Sequence, residues 1–204
     1  MTSVARRWLL SFAAGRIRLT ILAILLGCGS AADNAHAGEA EAWAALRAGR
    51  HVALMRHADA PGGFGDPPGF QIEDCTTQRN LSPKGRADAL RIGARLKSEG
   101  IALEIILTSP WCRCIDTATL LGLGPVKTEA TFSNVVVLRD QRESLTSGAR
   151  AMIDQWTGNG TLLVVTHGAN IQALTGIQPA SGEIIVVRGG SGGGHEAVGR
   201  LMLD

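Results

Sequence analysis

Two histidines and two arginines stand out because each follows an apolar run that has the look of a buried strand. Arg56-His57 close the run His51 to Met55, Arg113 follows Ser109-Pro110 after the run Glu104 to Thr108, and His167 follows the run Thr161 to Thr166. Charged or titratable groups at the ends of buried segments need a partner or a ligand, because desolvating them alone is expensive. Guanidinium groups donate paired, parallel hydrogen bonds and so suit a tetrahedral oxyanion, above all phosphate. A neutral imidazole is a competent nucleophile toward phosphorus, and flanking cations favour the neutral ring. Binding and nucleophilic attack on a phosphoryl group are therefore the chemistry these four residues could perform together.

Bringing them together requires a particular arrangement of elements. Strand patterns at His51 to Arg56, Glu104 to Thr108, Val135 to Leu138 and Thr161 to Thr166 alternate with helical patterns at Ser82 to Glu99, Trp111 to Leu121, Leu145 to Trp156 and from Gly168 onward. A further helix covers Glu39 to Ala48, and Ile184 to Arg188 with Ala197 to Met202 reads as a closing hairpin around the glycine-rich turn Gly189 to Gly194. Ser82, Pro83 and Gly100 supply an N-cap, a first helical position and a stop for the first long helix. Such alternation predicts an α/β fold, a sandwich with a mainly parallel sheet, in which sites gather at the carboxyl ends of strands. On that rule Arg56-His57, Ser109 to Arg113, Asp140 and His167-Gly168 converge on one edge. The 20-residue stretch Pro61 to Asn80, rich in glycine and proline, is a long loop; Gln78, Arg79 and Asn80 in it are candidates either for the pocket wall or for loop packing.

Composition narrows the function classes. At 204 residues the chain suits one domain. Residues 1 to 28 hold Arg6, Arg7, Arg16 and Arg18 and no acid, so the formal charge of +2 becomes −2 once those four are removed. A mildly acidic body disfavours nucleic acid or an anionic membrane surface as the main partner. Arginines ahead of the apolar stretch Leu19 to Leu26 and then small residues read as an export signal, so residues 1–37 are expected to be signal and short linker and 38–204 the working domain. Two processing sites compete. Leu25-Leu26-Gly27-Cys28 has the form of a lipoprotein box that would lipidate Cys28, and Ala35-His36-Ala37 the form of an ordinary cleavage site; an uncleaved anchor is the third reading. Each implies work outside the cytoplasm, in the periplasm for a bacterial envelope. There Cys75 could pair with Cys112 or with Cys114, but not with both, since those two lie two apart on a helix.

The motifs also carry a resemblance. Arg56-His57-Ala58, Ser109-Pro110 with Arg113 and Asp116-Thr117-Ala118, and Thr166-His167-Gly168 are similar to three signatures of the histidine phosphatase superfamily, the phosphoglycerate mutase-like proteins. Gln78 to Gly85 resembles the segment leading into that family's first long helix, and the similarity runs over about residues 50 to 190. Within the family the chain looks most like an exported branch that includes a lipopolysaccharide core heptose phosphate phosphatase. The resemblance implies a three-layer α/β/α sandwich and a phosphomonoesterase that needs no metal or other cofactor. It further implies His57 as nucleophile forming phosphohistidine, Arg56 and Arg113 as phosphoryl clamps, His167 as a donor to the developing charge, and Asp140, with Glu143 as its alternate, as the acid for the leaving group. The substrate would be a phosphorylated small molecule, sugar phosphate or surface glycan. The family usually places glycine where this chain has Ala58. Two other classes fit the same residues: a phospho-ligand binding domain without catalysis, and a metal-dependent phosphoesterase using His57, Asp59, His167 and Asp116.

Overall fold

The structure, a computed structural model, describes residues 31–63, 65–189 and 196–203. The expected export signal, Cys28 and most of the glycine-rich turn lie outside the described residues.

β1 (His51–Arg56), β2 (Leu103–Thr108), β3 (Val126–Thr128), β4 (Thr161–Thr166), β5 (Ile184–Arg188) and β6 (Glu196–Leu201) form one sheet in the order β3-β2-β4-β1-β5-β6. The first four run parallel, β5 is antiparallel to β1, and β6 is antiparallel to β5. The helices are α1 (Ala31–Ala48), α2 (Pro83–Ser98), α3 (Cys112–Leu120), α4 (Arg142–Asp154) and α5 (Gly168–Thr175). The two-residue alternation of the strands sorts their side chains onto opposite faces. Ala53, Met55, Leu163, Val165, Ile184 and Val186 pack with Trp43 and Leu46 of α1, Ile92 and Leu96 of α2, and Cys114 and Ala118 of α3. Val52, Leu54, Leu162, Val164, Ile185 and Val187 pack with Ala149 and Ile153 of α4 and with Ile171 and Leu174 of α5. Helices thus cover both faces, as expected for a three-layer α/β/α sandwich, and strands buried on both sides explain the unbroken apolar runs.

Local signals operate as the sequence suggests. The Ser82 side chain accepts the Gly85 N–H at 2.9 Å, Pro83 occupies the first position of α2, and Gly100 takes a left-handed φ of +67° just beyond the helix. α1 begins eight residues before the expected Glu39.

One element differs. The third strand expected at Val135 to Leu138 is a turn, and the strand in that topological place is Val126–Thr128 beside β2. The reason is Asn134: its Oδ1 accepts the Val136 N–H at 2.9 Å and its carbonyl accepts the N–H groups of Val137 and Leu138. Those local bonds curl the apolar run on itself and remove it from any ladder. Asp140 therefore does not follow a strand; it sits exposed in a 3₁₀ turn, Arg139–Gln141, that leads into α4.

Glycine lets the backbone of α2 meet the end of α3. A Cβ on Gly93 would lie 2.0 Å from the Leu121 carbonyl oxygen. Gly93→Ala should therefore lower stability by about 1–3 kcal/mol in urea unfolding, overpacking outweighing the ~1 kcal/mol that alanine gains in helix propensity. A neutral or stabilising result would show that the two helices are looser than described.

Candidate active site

The site lies where β1 and β4 end side by side, Arg56 being in register with Thr166. The His57 N–H donates to the Thr166 carbonyl at 2.9 Å, which extends the ladder one residue and fixes the nucleophile candidate against the sheet edge. Its Nδ1 is 2.8 Å from the Ala58 carbonyl oxygen. A carbonyl only accepts, so Nδ1 carries the proton and Nε2 keeps the lone pair. The ring is 3% exposed, and burial, reinforced by the charges of Arg113, Arg56 and Arg79, pushes its pKa down to about 3 against the Ala58 hydrogen bond. His57 is thus neutral across the working pH range.

Ala58 stands where glycine is usual, and its place is accommodated. It is fully buried, has no left-handed φ, and its N–H donates to Thr117 Oγ1 at 3.1 Å. Thr117 in turn donates to the Arg113 carbonyl at 2.7 Å, which couples the first motif to α3.

His167 precedes α5 with its ring centroid 5.6 Å from that of His57. Arg113 Nη2 lies 3.4 Å from its Nδ1 and Ser109 Oγ 2.9 Å from its Nε2. Because a guanidinium only donates, Nδ1 is the acceptor and Nε2 bears the hydrogen. Burial, then the neighbouring positive charges, holds this ring neutral as well. Cys114 packs 3.7 Å from Nε2, and burial pushes its thiol up to about 12, so it is an uncharged packing group.

A cavity of about 240 Å³ at this edge is lined by Arg56, His57, Arg79, Asn134, His167, Gly168 and Gln178, among others. Arg56 is held by Nη1 donating to the Pro179 carbonyl at 2.9 Å, whereas its buried Nε has no hydrogen-bond partner among the described residues. An unpaired guanidinium N–H in a buried setting is costly unless an anion completes it. Gly168 permits this placement: a Cβ there would come within 3.3 Å of Arg56 Nε and 2.9 Å of Gln178 Nε2. The loop residue Arg79, left open between pocket and packing, lies on the cavity wall. Gln78 instead ties the loop, its Oε1 accepting the Cys112 N–H at 3.0 Å, and Asn80 donates to the Cys75 carbonyl.

Arg113 is wholly buried beside His167; its Nη1 and Nη2 donate to Asp66 at 2.7 and 3.3 Å, in an ion pair whose two side chains are both inaccessible to solvent, and its Nε, like that of Arg56, has no hydrogen-bond partner among the described residues. Two expectations are revised by these positions. Asp140 and Glu143 line a different surface depression, with Arg139, Arg142 and Arg150, a consequence of the turn at Asn134. The acids needed for a metal cluster with His57 and His167 are turned elsewhere: Asp59 accepts from Ser82 and Asp116 pairs with Arg86. Asp66 itself carries no sequence pattern beyond being an acid in a glycine- and proline-rich loop; only an excess of arginine in need of compensation points toward such a residue. Between the two cysteine pairings left open, Cys75 bridges Cys112, and Cys114 is free and buried.

The pattern described as histidine phosphatase superfamily (branch 1) matches residues 52–135. The fold is shared with the protein histidine phosphatase SixA, solved with tungstate, at 18% identity over 74% of this chain and 96% of that one, TM-score 0.51. It is shared with the product of an open reading frame of Mycobacterium tuberculosis, at 17% identity over 76% and 96%, TM-score 0.53. A mycobacterial glucosyl-3-phosphoglycerate phosphatase is similar at 16% identity over 68% and 89%, TM-score 0.50. No curated protein sequence matches the chain. The matched segment, residues 52–135, is similar to that superfamily and holds the first two motifs, and the fold, shared with the solved structures, brings His167 to them from outside it.

Proposed function

We propose that this chain is a phosphomonoesterase that acts outside the cytoplasm, without a metal, through a phosphohistidine on His57. The observation that carries the reading is a buried, neutral imidazole with its lone pair on Nε2, sharing a small cavity with a buried Arg56 N–H that lacks a partner among the described residues. Arg56 and Arg79 on the wall, with the Arg113 charge offset by Asp66, leave two positive charges for a dianionic phosphoryl group. His57 Nε2 attacks phosphorus, the bond from phosphorus to the leaving atom breaks, and the electron pair departs with that atom. The Nδ1 proton, held by the Ala58 carbonyl, stabilises the ring as it becomes positive. Water then attacks the phosphohistidine, and orthophosphate leaves as the imidazole is restored. His167 is placed to donate its Nε2 hydrogen to a phosphoryl oxygen in exchange for Ser109.

The leaving group bears on the substrate class. No described residue lining the cavity carries a carboxyl group. An alkoxide leaving group such as a sugar oxygen would have to find its proton elsewhere, so the site favours leaving groups that depart without an enzymic acid, as in aryl phosphates and in a phosphorylated imidazole whose other ring nitrogen carries a proton, so that the ring leaves neutral. The fold neighbour described as a protein histidine phosphatase is in keeping with this, a phosphoryl group on imidazole nitrogen being a phosphoramidate. The Cys75–Cys112 disulfide supports an oxidising compartment, in line with the export-like residues 1 to 28.

His57→Ala should reduce turnover of an aryl phosphate by more than about 10³-fold in chelator, with circular dichroism unchanged. Acid-labile label on the wild-type protein after quenching with labelled substrate should vanish in the variant; an active His57→Ala protein would overturn the assignment. Across a leaving-group series, kcat/KM should fall steeply as leaving-group pKa rises, and a flat series would mean that an acid assists after all. Stability should also depend on pH. The folded-state pKa of His57, at about 3, lies below its ordinary 6.5, so between those values the unfolded chain binds the extra proton and stability falls as pH falls. His57→Asn should flatten the melting temperature between pH 7 and 4 relative to wild type.

A further inference from the structure

A second cavity, of about 690 Å³, has no part in the chemistry proposed above. Its wall is built from Phe70 and Ile72 of the long loop, Pro110 and Trp111 after β2, and Leu138 and Leu145 around the start of α4, among others, and none of its described lining residues is charged. Its size falls within the range of about 300–1,000 Å³ usual for pockets that take small molecules. The Phe70 and Trp111 rings on this wall have centroids 6.0 Å apart and a tilt of 36°. The indole N–H already donates to Asp66 at 2.9 Å, and the hydroxyls of Thr131 and Ser144 donate to Glu129 and to the Gln141 carbonyl. The wall therefore offers mainly carbon to whatever enters.

This apolar cavity adjoins the phosphoryl cavity. The turn from Ser133 to Leu138 lines both, Asn134 and Val136 facing the phosphoryl side and Ser133 and Leu138 the apolar side. The long loop does the same, with Gly63, Gly65 and Arg79 on the first and Phe70 and Ile72 on the second. Trp111 also stands edge-on to His167, ring centroids 5.4 Å apart at 86°. The sheet sets a direction: along its edge come His57 after β1, His167 after β4, Pro110-Trp111 after β2 and Ala130-Thr131 after β3. Attack on phosphorus and departure of the leaving atom run roughly in line. A leaving group opposite His57 thus points along this edge, past His167, toward the apolar cavity.

We infer that the apolar cavity is the leaving-group pocket and that the substrate is a phosphate ester of an aromatic alcohol, its ring packed against Phe70 and Trp111. The inference rests on the phosphomonoesterase reading above and narrows it. Two independent observations agree: the phosphoryl cavity has no carboxyl group on its described wall to protonate an alkoxide, and the neighbouring wall suits an aromatic ring. A sugar would bring several hydroxyls against carbon surface that cannot pair them, and a phosphorylated protein histidine would bring a peptide backbone with the same need.

The test is calorimetric binding of phosphonates to the full-length protein, which does not depend on turnover. Methylphosphonate reaches only the phosphoryl cavity, whereas benzylphosphonate and para-butylbenzylphosphonate carry a methylene in place of the ester oxygen and extend into the apolar one. Benzylphosphonate should bind about tenfold more tightly than methylphosphonate, and the butyl compound about tenfold more tightly again. Among the described residues Leu145 takes part in neither core layer, so Leu145→Gln should fold, and it should cut the ratio of butylbenzyl to methyl affinity by about threefold or more. If that variant does not fold, Ile72→Asn takes its place from the loop side with the same expectation. Three phosphonates of equal affinity, or a ratio that neither variant changes, would overturn the inference and leave the phosphoryl cavity as proposed. Protein that shows the ratio but hydrolyses no aryl phosphate would sink the catalytic reading and leave the pocket standing; protein that binds none of the three would sink both.

Discussion

Positive charge confined next to neutral imidazole is the constraint around which this molecule is arranged. Three guanidinium groups, from Arg56, Arg79 and Arg113, lie around His57 and His167, and all five are withdrawn to different degrees from water. Such a cluster persists only if its charge is answered. One answer is internal, the Asp66 carboxylate, whose own pKa burial would raise but which the hydrogen bonds of Arg113, Arg79 and Trp111 hold below the usual carboxylate range. The remaining charge has no acid on the cavity wall among the described residues, and it is what an oxyanion would meet.

The same constraint explains why the histidines are useful. Burial and surrounding cations both disfavour the imidazolium form, so the lone pair on His57 Nε2 is available without a separate base, and a backbone carbonyl settles which nitrogen holds it. The sheet provides the rigidity: β1 and β4 are parallel neighbours at its centre, so the residues that follow them emerge together, and α5 begins at once with a glycine small enough to let Arg56 lie against it. The loop from Pro61 to Asn80 contributes a cation to the wall without secondary structure of much length, and its order comes from a disulfide, a buried ion pair and a side-chain amide rather than from a ladder.

Much of this architecture is legible in the residues alone, and the places where it is not have physical causes. The helix α2 is readable because Ser82, Pro83 and Gly100 act locally, and β4 because a six-residue apolar run between turns has few alternatives. Val135 to Leu138 misleads because apolar character does not distinguish a strand from a turn whose bonds come from one asparagine just ahead of it. That single difference displaces Asp140 and, with it, the expected acid. Arg113 is marked as important by its place after Ser109-Pro110, yet its partner is not, since the acid that answers it stands 47 residues earlier in a loop with no period.

The amino-acid sequence on its own determined the order and type of most elements, the edge of the sheet on which the reactive groups emerge, and the kind of ligand that two histidines among arginines would hold, because alternation, capping and charge are properties of neighbours along the chain. Only the tertiary structure decided which cations reach the cavity, which acid neutralises one of them and which cysteine closes the loop. Those outcomes depend on distances between segments far apart in the chain, where burial changes the cost of a charge by more than any local preference can register.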